Sequence, residues 1–192
     1  MEKDGEEAGY GEVLHPVQAC RRFGAGCDCG DAEEGDGGKV FENVRGIDGG
    51  VSGDTSEAGK ARLGWTLDGL ERKPDLVILE LGANDMLRGL DPALTEANLA
   101  AMLQELDRRD IPVLLAGMRA APNLDPAYIA RFDAIYPKLA KAEGAHIYPF
   151  FLDGVAAQQG LVQADGMHPT FEGVKRIVKG IMPAVKQALA DR

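Results

Sequence analysis

The stretch 74-PDLVILELGAND-85 decides how the rest of the chain is read. From Leu76 to Leu79 it is a continuous apolar run of strand length, with proline before it and glycine soon after. A strand apolar on both sides is one covered by helices on both faces, as in a parallel sheet. Working outward, the same logic repeats. Residues 57–73 carry Ala58, Ala61, Leu67 and Leu70 at helical spacing, with Asp54 or Thr55 available as a cap. Residues 91–109 read as a helix with Pro92 near its first turn, and 111–118 as the strand after it. A helix over 126–144, interrupted near Pro137, and a strand within 146–151 follow. The chain closes on a long helix with Val174, Ile177, Val178, Ile181 and Val185 along one stripe. Strands alternating with helices predict an α/β fold: a doubly wound, three-layer sandwich with a parallel sheet.

At 192 residues the chain suits one such domain. Its net charge of −10 and the lack of a Lys/Arg stripe argue against nucleic acid as a partner. No apolar run reaches the length of a membrane span, and the acidic start MEKDGEEAGYG does not resemble a secretory signal. Cys20, Cys27 and Cys29, with only His15 nearby, fall short of a metal-ligand set and read as free thiols.

Composition changes sharply near residue 50. Residues 1–49 are rich in glycine and acidic side chains and poor in branched or aromatic ones. They read as an atypical, disordered segment ahead of a domain at 50–192. Within that segment only residues 39–47, KVFENVRGI, suggest a strand, and a weak one.

In a doubly wound sheet, ligands bind at the carboxyl ends of the strands. GAND (82–85) follows the central apolar run and GVSGDT (50–55) precedes the first clear helix. DGMHP (165–169) precedes the last helix, so three separate motifs converge on one rim. Asp165 and His168, three apart in one loop, form a carboxylate–imidazole pair suited to proton transfer near neutral pH. The backbone amides of Ser52, Gly53 and Asp54 can open towards the same rim, where helix N-termini favour negative charge.

GVSGDT, ELGAND and DGMHP, in this order, resemble the second, third and fifth blocks of the SGNH hydrolases, or GDSL-type esterases. The likeness is to their bacterial arylesterase, thioesterase I and lysophospholipase branch. It runs from about Gly50 to the C-terminus and includes DAIYP and YPFFLDGV. The resemblance implies a flavodoxin-like sheet and hydrolysis of carboxylic esters or thioesters through a serine acyl-enzyme. It also implies Gly53 and Asn84 as oxyanion donors, His168 as general base and Asp165 as its orienting acid. A small-molecule ester or thioester is the implied substrate, with no metal or organic cofactor needed. A periplasmic or secreted location is suggested by the family alone, and oligomeric state is not indicated.

The family's first block, Gly-Asp-Ser-Leu after an apolar first strand, has no counterpart here. The only serines are Ser52, inside the oxyanion block, and Ser56, in the first turn of the next helix. Residues 3–11 can be laid on the block's pattern, but Gly5 then stands where serine belongs. Counting back from Gly53 instead reaches Cys20. The nucleophile is therefore unknown, and the first strand is expected to be lost, as a frame error or misplaced start would cause. Two other readings stand beside the hydrolase: a catalytically dead lipid- or acyl-binding protein, and a module binding a phosphorylated ligand through GVSGDT. For single residues the plain structural roles remain open: turns at Gly53, Asn84 and Asp153, solvated or structural His15 and His146, and core or acyl-pocket positions for Trp65 and Met118.

Overall fold

A computed structural model of the chain describes residues 11–15 and 44–191. Five parallel strands form one sheet: β1 (Gly11–His15), β2 (Val44–Asp48), β3 (Leu76–Leu79), β4 (Val113–Ala116) and β5 (His146–Tyr148), in the order β2-β1-β3-β4-β5. The helices are α1 (Ser56–Asp68), α2 (Ala83–Leu87), α3 (Pro92–Arg108), α4 (Pro126–Asp133), α5 (Ile135–Glu143) and α6 (Phe171–Ala190). This is the doubly wound α/β architecture that the alternating pattern predicts.

The expectation of a lost first strand is corrected. Gly11–His15 lies between β2 and β3, with Val13 and Leu14 in register with both Gly46 and Ile47 on one side and Leu76 and Val77 on the other. Five residues suffice because a parallel ladder draws its hydrogen bonds from the backbone, whatever the side chains prefer. The sheet thus takes two strands from ahead of Gly50; the rest of the segment expected to be disordered lies outside the described residues.

The core sits where the apolar runs cross. All four residues of β3 and all four of β4 are buried. Leu76, Ile78, Leu114 and Leu115 are inaccessible or nearly so, each contributing about 1.5–3 kcal/mol by burial. Leu63 of α1 and Met102 of α3 meet Val77, Leu79 and Leu81 around a small void on one side of the sheet. On α6 the buried stripe is Gly173, Ile177, Ile181, Val185 and Ala188; Val178 is exposed.

The break in the 126–144 helix falls at Ala134, not at Pro137. Pro137 lies in the first turn of α5, where a missing N–H costs no helical bond. Asp91, Asp125 and Thr170 cap α3, α4 and α6 through side-chain bonds to backbone N–H groups.

Candidate active site

Because the strands are parallel, the segments leaving β2, β3 and β5 emerge on one edge. The polar motifs lie in those segments.

The first is a tight turn. Asp54 N–H donates to Val51 O at 3.2 Å, and Gly53, third in the turn, has φ of +86°. A positive φ at that place defines a type II turn and favours glycine. Thr55 then caps α1, its hydroxyl accepting from Ala58 N–H at 3.3 Å. Arg62 of α1 clasps the turn from beneath, donating to the Asp54 carboxylate at 2.6 Å and to Gly49 O.

The second motif leaves β3. Gly82 has φ of +114°, and a Cβ there would lie 2.2 Å from Tyr136 Oη, whose hydrogen donates to Leu81 O at 2.9 Å. Only glycine lets the chain turn this sharply into α2. Asn84 and Asp85 follow and reach back to the first motif. Asn84 Nδ2 donates to Asp54 O at 2.9 Å, and Arg88 Nη2 donates to Gly53 O at 2.7 Å.

Asp85 points inward and is almost fully buried. Its carboxylate accepts from Ser56 N–H at 2.8 Å, from Ser56 Oγ and from Thr95 Oγ1 at 3.1 Å. Asn98 Nδ2 donates to Ser56 Oγ at 3.0 Å, and Lys60 Nζ donates to Asn98 Oδ1. A carboxylate at the first N–H groups of a helix also meets the positive end of its dipole. Gly53 and Asn84 are therefore held as one unit by a buried bracket that sequence reasoning missed. Nothing in the spacing of residues 56, 85, 95 and 98 signals the network.

The third motif is the loop before α6. His168 Nδ1 and Asp165 Oδ2 are 2.7 Å apart, and Asp165 Oδ1 accepts from Met167 N–H at 2.9 Å and His168 N–H at 3.0 Å. These bonds, the His168 N–H foremost, hold the Asp165 carboxyl well below the usual carboxylate range. An ionised acceptor at Nδ1 favours the proton there, which leaves a lone pair on Nε2. The loop is tied to its surroundings by Gln163 N–H to His168 O at 2.7 Å and by Thr170 N–H to Leu161 O at 2.9 Å.

Ser56, buried and engaged with Asp85, is not positioned to attack an ester. Ser52 is exposed at the second position of the turn. Cys20 and residues 3–10 lie outside the described residues. β1 nevertheless bears on the two alignments, since one puts the nucleophile position ahead of the strand and the other beyond it. Trp65 is 81% exposed on α1, so it serves neither core nor pocket, whereas Met118 is buried. His146 is half-buried, 3.9 Å from Asp191.

Among the described residues no group of three His, Cys, Asp or Glu could hold a metal ion, and no helix is long and apolar enough to cross a membrane.

A parallel sheet carrying a glycine turn, an asparagine and an Asp–His pair along its carboxyl edge defines an α/β protein of the SGNH hydrolase fold. The chain belongs to the GDSL-like Lipase/Acylhydrolase family, whose profile matches residues 24–176. It is 43% identical over 147 residues to Esterase TesA of Pseudomonas aeruginosa, spanning 77% of this chain and 72% of that protein. To Thioesterase 1/protease 1/lysophospholipase L1 of Escherichia coli it is 41% identical over 119 residues, 62% of this chain and 56% of that protein. The crystal structure of TesA superposes with a TM-score of 0.76 at 34% identity, covering 92% of this chain and 98% of that one.

Proposed function

We propose that this chain is built to hydrolyse carboxylic esters or thioesters through an acyl-enzyme, with Gly53 N–H and Asn84 Nδ2 as oxyanion donors, His168 as general base and Asp165 as its orienting acid. The observation that carries this reading is the 2.7 Å Asp165–His168 contact, in a chain whose GDSL-like family membership is established. The names of its relatives, esterase and thioesterase/lysophospholipase, support the substrate class.

The chemistry follows from the parts. His168 Nε2 takes the proton of an attacking hydroxyl or thiol and returns it to the leaving group, while Asp165 steadies the imidazolium between the two transfers. As the carbonyl becomes tetrahedral, its oxygen gains a charge that two fixed donors stabilise, each contributing roughly 3–4 kcal/mol to the barrier reduction. The attacking group itself is not assigned.

That gap supports a second reading, an acyl- or lipid-binding protein that keeps the pocket without turnover. Ser56, one of only two serines, is locked to Asp85. One assay separates them. The chain as it stands is given p-nitrophenyl butyrate, and calorimetry follows its titration with a medium-chain fatty acid. Hydrolysis that His168→Ala removes supports the enzyme; saturable binding without hydrolysis supports the binding protein, and neither signal rejects both.

A further inference from the structure

We propose that Arg88 is a positioning residue for the Gly53 donor, an inference that rests on the hydrolase reading above. The peptide unit joining Gly53 to Asp54 is held at both ends: its N–H by Val51 O at 3.2 Å and its C=O by Arg88 Nη2 at 2.7 Å. No acceptor for the Gly53 N–H appears among the described residues, as the donor role requires.

With the following peptide plane fixed, only the two torsions of Gly53 itself, its ψ and its φ of +86°, set where its N–H points. Arg62 and Asn84 hold the neighbours, Gly49 and Asp54, but not the Gly53 C=O, and glycine populates either sign of φ almost equally, so without Arg88 the donor would scatter over several directions. Arg88 removes that freedom. Its own backbone N–H is bonded to Asn84 O at 3.1 Å, so the residue that steadies one oxyanion donor is anchored on the residue bearing the other.

Arg88 is exposed and contributes nothing to the core, so its removal tests position and not folding. An oxyanion exists only as the carbonyl is attacked, and a loosened donor therefore lowers turnover while substrate affinity stays. A guanidinium reaching only through one nitrogen is partly replaceable by an ammonium, which makes Arg88→Lys a graded control.

The experiment takes the full chain, Arg88→Ala and Arg88→Lys, and reads two signals: the Gly53 and Asp54 backbone amides by NMR, and hydrolysis of p-nitrophenyl butyrate. In Arg88→Ala both amides shift, hydrogen exchange at Asp54 quickens by about 10-fold, and kcat falls by about 10- to 100-fold with KM within about 2-fold. Arg88→Lys recovers part of each change. Unchanged amides in Arg88→Ala overturn the inference, and so does a loss confined to KM, which would make Arg88 a substrate contact. A parent chain without hydrolysis counts against the hydrolase reading alone, since the amides still report whether Arg88 holds the turn.

Discussion

The carboxylate of Asp85 accepts both the backbone N–H and the hydroxyl of Ser56, 29 residues away in sequence, and so clamps the start of α1 to α2. Asp85→Ala leaves three buried donors without an acceptor and should cost roughly 3–5 kcal/mol. Asp85→Asn keeps the shape but sets an N–H₂ against a donor, and should cost less. Urea denaturation of the two variants gives the order.

Glu80, next to the end of β3, is buried, and burial pushes its carboxyl up to about 7. The unfolded chain releases this proton near pH 4.5 while the folded chain keeps it to about 7. Stability is therefore fully present below the unfolded value, declines across that interval by about 3 kcal/mol, and levels off above it. Glu80→Gln should flatten this part of the curve, which unfolding midpoints between pH 4 and 8 measure.

Asp165 has the opposite sign. Its depressed pKa keeps the carboxylate ionised through the ordinary aspartate range near 4, so the His168 contact should survive acidification to that point and fail only below it. Carboxyl carbon shifts in an acid titration report this directly. Asp165→Ala should lower any hydrolysis by about 10²- to 10⁴-fold, with the urea midpoint nearly unchanged because the pair is exposed.

Gly82→Ala should be costly on two counts: a φ of +114° and a Cβ placed on Tyr136 Oη. A loss of about 2–4 kcal/mol is expected. Tyr136→Phe should relieve part of it by opening space, at the expense of the bond to Leu81 O. A double-mutant cycle by thermal unfolding separates the two.

What the sequence disclosed and what it hid divide along physical lines. β3 and β4 are legible because a strand buried on both faces must be apolar throughout. The cap of α1 is legible to within one residue, Asp54 or Thr55, because caps act through local bonds, and the structure gives it to Thr55. Gly53, Asn84, Asp165 and His168 could be singled out because their motifs flank recognisable elements. β1 was invisible, since GEVLH holds its place by backbone pairing to neighbours far along the chain. The α1 stripe was misread for a similar reason. Its buried face runs through Ser56, Gly59, Leu63 and Leu67, where a hydroxyl and a glycine go inward. Ser56 does so to meet Asp85, and Gly59 because a Cβ would press on Leu81.

The central claim is that Gly53, Asn84 and His168 form the working edge of an ester hydrolase. It is tested most directly by supplying the missing part. A chain in which a family-type first strand and Gly-Asp-Ser block replace the residues ahead of β2 at Val44 should hydrolyse p-nitrophenyl butyrate at about 1–10³ per second. His168→Ala in that chain should reduce the rate by at least about 10³-fold. A folded replacement chain with no hydrolysis, or one whose hydrolysis survives His168→Ala, would contradict the account.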